Sequence, residues 1–274
     1  MSTTNAKCPH CGTIVIVDRS EEASICQECK KPFVTSKAIE EYNRSTGGNY
    51  IDPQIKTMFD LGIQAFNGRN YNEAYGYFSS ALQINSRVAL PILYKGLTAS
   101  YLSTLAQNAC NIRLPELNAA IDLVFKNEEL FSQLDSDSID QFFYQVVVLV
   151  NTLVNAALKL YVPGYREMDN INMVWTALGE AYTTLTVMGS YFGVIYPDEV
   201  TDKQEKILKA ASKLISGVLA RLLDERIYSV AWGWRSGLGQ RNIVRHPNYK
   251  ELLAIKNEFD SETKKIFPDF TPIK

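Results

Sequence analysis

The sequence predicts a mainly α protein: antiparallel helix pairs forming a solenoid or bundle, behind a small metal-held β unit over residues 1–40. Three observations lead there. Four of the five cysteines fall in two C-x2-C pairs near the start of the chain. From residue 53 onward, small and large apolar residues recur at helical spacing, and part of that pattern returns 34 residues later. The 274 residues are 46% hydrophobic and 21% charged, with 15 glycines and 10 prolines. That balance suits a chain that buries a core and excludes a fibrous or low-complexity one.

The opening unit rests on Cys8-Pro9-His10-Cys11-Gly12 and Cys26-Gln27-Glu28-Cys29, with fourteen residues between Cys11 and Cys26. A C-x2-C turn places two sulfurs on one edge of a tetrahedron, the arrangement Zn²⁺ prefers. Gly12 suits the tight turn after the first knuckle, and the alternating Thr13-Ile14-Val15-Ile16-Val17 reads as a strand leading away from it. Two disulfides would require an oxidising compartment, which nothing in the sequence indicates. A redox C-x-x-C comes as one pair beside a βαβ unit, not as two pairs. The segment resembles a zinc ribbon, with Cys8, Cys11, Cys26 and Cys29 as ligands of one structural Zn²⁺. All four ligands are protein thiolates, so no position is left open for catalysis. Some forty residues bury too little to fold alone, so metal binding is expected to supply the folding energy. His10 is expected to face solvent, and Cys110 to be a small buried hydrophobe.

Residues 41–55 read as a linker. Ser36–Tyr42 suits a short helix, the stretch from Asn43 to Asn49 suits a loop, and Asp52-Pro53 offers a helix start. The helical domain then runs over 56–274, motif-bearing to 127 and divergent from 128. Met58, Leu61, Gly62 and Ala65 share one helix face; Asn67-Gly68-Arg69-Asn70 breaks it; Ala74, Phe78 and Ala81 mark a second helix. Ile92, Gly96 and Ala99 repeat Met58, Gly62 and Ala65 at a distance of 34, and Leu114–Lys126 reads as a delayed partner helix with Ala120 and Val124. Trp175-x2-Leu178-Gly179-x2-Tyr182 begins a third unit that Pro197 interrupts. These patterns resemble a tetratricopeptide repeat, W-x2-L-G-x2-Y followed by A-x3-F and P. The resemblance implies stacked antiparallel helix pairs with a concave binding face. Together with the ribbon, it is similar to ribbon-plus-helical-repeat proteins of the bacterial cytosol, which implies no activity.

Further along, Ser138 with Gln141 suggests a capping box opening the apolar helix Ile139–Tyr161, and Thr201 with Gln204 suggests another. Asp135, Asp137 and Asp140 do not meet the calcium-loop pattern and suit a helix N-terminus instead. A last helix is expected from Tyr249 to Ile266. The apolar stretch Phe142–Leu158 is broken by Gln145, Asn151, Thr152 and Asn155 and is read as a buried helix rather than a membrane span. The opening residues are polar, without the look of a secretory leader, so the expected compartment is the cytoplasm.

Charge and motifs narrow the function. The formal charge is −2, which argues against a generally basic nucleic-acid binder. Residues 41–200 carry −7 and residues 201–274 carry +5, so a basic C-terminal surface meeting an acidic partner is one reading and oppositely charged solvated faces are the other. There are two histidines, and G-x-S-x-G, P-loop and H-E-x-x-H patterns are missing, so no enzyme is predicted. The expected function is a protein or peptide scaffold. If the repeat resemblance holds, Lys56, Phe59, Ile63, Phe66 and Asn67 line the inner face of the first repeat, and Leu90, Leu93, Leu97 and Tyr101 that of the second. The lysine–asparagine clamp by which some family members hold an acidic tail is replaced here by Phe59, Ile63 and Tyr94. The groove therefore suits an apolar ligand, or is filled by the chain's own C-terminal helices. Nucleic-acid binding through the ribbon is the alternative, disfavoured by the ribbon's zero net charge although Lys30-Lys31 with Phe33 offers a contact. The Trp232–Arg245 stretch reads as a loop between helices whose Arg235, Arg241 and Arg245 offer an anion site, or whose tryptophans plug the end of the bundle.

Overall fold

The computed structural model describes residues 3–18, 20–46, 52–106, 114–160, 167–195, 200–224, 229–232, 240–243 and 245–273. Two units divide between Thr57 and Met58.

The first unit is a pair of short hairpins and one helix. Strands β1 (Thr3–Lys7) and β2 (Ile14–Asp18) pair antiparallel, with Lys7 opposite Ile14 and Thr3 opposite Asp18. Strands β3 (Ala23–Ile25) and β4 (Pro32–Val34) form the second hairpin, with Ser24 opposite Phe33. Helix α1 (Thr35–Thr46) packs chiefly on β1 and also touches β2, β3 and β4. The side chains alternate as a half-buried sheet requires: Ala6, Cys8, Val17, Cys26 and Phe33 point inward with Ala38 of α1 to make a very small core. The expected strand after the first knuckle is β2. Its partner β1 comes from the polar opening residues, in which the sequence shows no strand, and residues 43–46, which read as the start of a loop, prolong α1.

Helix α2 (Pro53–Asn67), which belongs to the second unit from Met58 on, and α3 (Tyr71–Ile84) are joined by a turn in which Arg69 takes the left-handed conformation (φ 61°). Asn70 then caps α3 by accepting from the Glu73 N–H. Phe59 meets Phe78 while Phe66 meets Tyr71, so α2 and α3 run antiparallel. Helix α4 (Ala89–Ala106) follows, and Tyr71–Tyr101 with Phe78–Tyr94 sets it antiparallel to α3. Phe59–Tyr94 and Phe66–Tyr101 set it parallel to α2. Small residues permit this closeness. A Cβ on Gly62 would stand 2.5 Å from the Phe78 ring, and one on Gly96 would stand 2.9 Å from both Ala120 Cβ and the Glu116 carbonyl oxygen. Ala120 belongs to α5 (Pro115–Lys126), the delayed partner helix.

A short α6 (Glu128–Phe131) leads into α7 (Ser136–Leu160), which packs on α4, on α8 (Glu167–Ile195) and on α9 (Asp202–Leu223). Asp135, not Ser138, caps α7 by accepting the Ser138 N–H at 2.7 Å. Thr201 and Gln204 form the reciprocal capping box of α9. By length and apolarity Ser136–Leu158 does reach what a membrane span needs (mean hydropathy 1.4), contrary to the expectation. Half of it is buried: Phe142, Phe143, Val146, Leu149, Val150 and Leu153 enter the core. Gln141, Tyr144, Asn151, Thr152 and Asn155 form an exposed stripe at helical spacing. The stretch after α9 is not simply a loop. Strands β5 (Ser229–Trp232) and β6 (Gln240–Ile243) pair antiparallel, and α10 (Tyr249–Ile266) packs on α9. The Trp175–Tyr182 signature lies within the long α8, but a Cβ on Gly179 would meet nothing within 4 Å among the described residues.

Candidate functional site

The two knuckles share one local geometry. Cys8 and Cys26 each accept, through the backbone carbonyl, the N–H four residues on (Gly12 and Lys30, both 2.9 Å), and each donates its own N–H to the carbonyl five residues on (Thr13 at 2.9 Å, Lys31 at 3.1 Å). The residue after each second cysteine turns left-handed: Gly12 at φ 77° and Lys30 at φ 58°. Glycine meets that requirement freely, whereas at Lys30 it costs about 1–2 kcal/mol of steric strain. Each knuckle thereby aims two sulfurs at one point.

The hairpins then bring the pairs together. Cys8 Sγ lies 3.7 Å from Cys29 Sγ, Cys11 Sγ lies 3.6 Å from Cys26 Sγ, and all four sulfurs are within 4.8 Å of one another. Cys8 and Cys26 are buried, Cys29 half-buried and Cys11 exposed. The thiols do not ionise alike. The Thr13 hydroxyl, followed by the Thr13 backbone N–H, brings Cys11 down to about 6. The Lys31 N–H lowers Cys29, but desolvation and the other three thiols push it up to about 11. Four thiolates this close cannot coexist without a cation among them. The donor set and spacing fit a single metal ion held by Cys8, Cys11, Cys26 and Cys29. His10 is exposed, as expected, and its Nε2 lies 3.1 Å from the Pro32 carbonyl, tying the first knuckle to the second hairpin.

The residues expected on a concave face part company. Phe66, Leu93, Leu97 and Tyr101 are buried, Phe66 edge-on against Tyr71, Tyr94 and Tyr101. They form part of the chain's own core and cannot line an open groove. Lys56 and Asn67 are exposed, Lys56 in the first unit. Phe59 and Ile63 line a cleft of about 390 Å³ with Leu90 and Tyr94 of α4, rimmed by Asp60, Gln64, Ser138 and Gln141. Ser138 and Gln141 come from α7, and sequence reasoning missed them, since no local signal announces that α7 docks beside α4.

Of the expected anion site, Arg235 lies outside the described residues, as do Trp234 and, elsewhere, Cys110. Arg241 sits on β6 opposite Ala231, and Arg245 is exposed, over the Tyr249 ring at 5.3 Å. Some of the C-terminal positive charge is matched internally. Lys203 pairs with Asp137 and buried Asp140, Lys209 with Glu205 and Asp269, and Lys256 with Asp260 one turn along α10.

Comparison of the chain with protein-family models, with curated proteins and with solved structures finds no match.

Proposed function

We propose that the protein is a non-catalytic scaffold or adaptor: a zinc ribbon joined to a tetratricopeptide-like helical unit that holds a protein or peptide partner. The observation that carries the scaffold reading is the cleft whose floor is Phe59, Ile63, Leu90 and Tyr94. An apolar floor with a few polar groups at its rim is suited to anchoring one large apolar side chain of a partner. The helix directions support the repeat reading. Helices α2 and α4 run parallel with α3 antiparallel between them in sequence, and each pair is brought close by a small residue, Gly62 against Phe78 and Gly96 against Ala120. This is the packing expected where hairpins stack and their first helices face a common groove.

For the metal, zinc is the reading the donors favour. Four sulfurs at about 2.3 Å from Zn²⁺ in a tetrahedron stand about 3.8 Å apart, against the 3.6 and 3.7 Å of the two direct pairs here. Soft thiolates select zinc over the hard cations that prefer oxygen. The metal's task in this reading is structural, because Ala6, Val17, Phe33 and Ala38 supply little else to hold the hairpins.

A peptide-display selection against the full chain tests the scaffold reading. It is expected to return peptides with a bulky apolar anchor whose binding is lost in Ile63→Glu, while the thermal transition of that variant stays close to the parent's. A selection that returns nothing, or peptides that bind Ile63→Glu equally well, overturns it.

A further inference from the structure

The ribbon carries a feature that neither the metal nor the cleft uses: the outer edge of β2. Among the described residues β2 pairs with β1 alone, and α1 packs chiefly on the β1 side of the hairpin. The register fixes which backbone groups face outward. Cys8 N–H bonds Thr13 C=O in the register that continues through Ala6–Val15 and Thr4–Val17. Bonded and non-bonded pairs alternate along an antiparallel ladder. Ile14, Ile16 and Asp18 are therefore the non-bonded positions, with N–H and C=O directed away from β1. Two of the same residues expose their side chains: Ile14 is 56% and Ile16 75% accessible. A β-branched edge strand without a charge at its centre is a template for another strand.

We propose that β2 pairs antiparallel with β2 of a second copy of this chain, giving a four-stranded sheet across a two-fold axis at Ile16. The proposal goes beyond the scaffold reading and does not depend on it.

Self-complementarity points to a second copy rather than an unrelated strand. With Ile16 opposite the second copy's Ile16, Ile14 falls opposite Asp18 and Asp18 opposite Ile14, so every outward-facing residue meets another outward-facing residue. The central pair exchanges two backbone hydrogen bonds. The Asp18 carbonyl already takes the Glu21 N–H at 3.2 Å and keeps a second lone pair for Ile14. Charge follows the same symmetry. Lys7 lies beside Ile14 on β1, so in the paired sheet Asp18 of one copy and Lys7 of the other stand in one row on either side of Ile14, about 10 Å apart. The two Ile16 side chains then form one apolar row across the axis, flanked by Asn5 on both β1 strands, with each Ile14 diagonally beside it. An interface this small belongs to the weak, reversible class.

Sedimentation of the full chain from about 1 to about 500 µM, the range a small edge interface calls for, is expected to show a reversible monomer–dimer equilibrium. Ile16→Lys and Ile16→Glu each place like charges on the axis and are expected to be monomeric while keeping the metal content of the parent. Mixed one to one, they are expected to dimerise with each other, because Lys and Glu then meet at the axis; a misfolded variant could not do this. Amide exchange at Ile14 and Ile16 should slow only at concentrations where the dimer forms. A parent chain that stays monomeric throughout, a dimer that persists in Ile16→Lys, or variants that fail to pair when mixed each overturns the proposal.

Discussion

Replacing Gly96 by alanine should force α4 and α5 apart. The new Cβ would stand 2.9 Å from Ala120 Cβ, 2.9 Å from the Glu116 carbonyl oxygen and 3.1 Å from Leu117 Cα. Ordinary contact begins at 3.4 Å, and two of these three neighbours are backbone atoms that no rotamer change can remove. The helices must separate by roughly half an ångström or more, in a core packed to crystalline density. Leu93, Leu97, Leu117 and Ile121, all fully buried, would lose contact together. Overpacking of this kind costs about 1–3 kcal/mol, and the better helix propensity of alanine offsets about 1 kcal/mol. A net loss of up to about 2 kcal/mol lowers the Tm of a unit this size by up to about 8 °C, and it sets Gly96→Ala about 1–3 kcal/mol below a variant that gains helix propensity alone. Gly76→Ala is the control, because a Cβ there meets nothing within 4 Å among the described residues and Gly76 is exposed on α3. Propensity alone should raise stability there by up to about 1 kcal/mol. Calorimetry on the two variants decides the matter: a Gly96→Ala protein that melts with Gly76→Ala, at or above the parent, refutes the close approach of α4 and α5.

Three further outcomes follow from the same geometry. Gly179→Ala should behave like Gly76→Ala in the melt despite its place in a W-x2-L-G-x2-Y signature; a loss like that of Gly96→Ala would mean that α8 has a close neighbour there. Thr201→Ala removes one half of the α9 capping box and should cost about 1 kcal/mol, with Thr201→Ser restoring most of it in denaturant titrations. Burial pushes the Tyr94 and Tyr101 phenols up to about 12. Their folded values exceed the usual 10, so the stability they confer is intact below pH 10 and is lost as pH rises from 10 toward 12, where the unfolded chain ionises first. Absorbance at 295 nm, where phenolate absorbs, should show late tyrosine ionisation coincident with alkaline unfolding. Ionisation of every tyrosine near pH 10 with the fold intact would contradict their burial.

The parts of the fold that were legible in the sequence are those fixed by short-range chemistry. The cysteine spacing located the four sulfurs because a C-x2-C turn determines its own geometry. Gly62 with Phe78, Gly96 with Ala120, and the Thr201–Gln204 box were readable because each lies within one helix or one helix pair. The last helix, Tyr249–Ile266, matches the expected bounds. What tertiary contact decides was hidden. Thr3–Lys7 has no apolar alternation and is a strand only because β2 lies beside it. Ser138 and Gln141 resemble a capping box, yet Asp135 caps α7 and both residues stand at the rim of the cleft. Phe66 and Tyr101 occupy positions that face a groove in the repeat pattern, but Tyr71 and Tyr94 close over them. Glycines in the Trp232–Gln240 stretch suggested a loop, although the residues flanking them pair as a hairpin.

Metal content and folding of the opening unit, measured together on the full chain, bear most directly on the proposed zinc site at Cys8, Cys11, Cys26 and Cys29. Elemental analysis should find one zinc per chain. Removing it with a strong chelator should abolish amide protection over residues 3–42 and leave the thermal transition of residues 58–274 in place. Far less than one zinc per chain, or hairpins that keep their protection after the metal is gone, would contradict a ribbon folded by its metal.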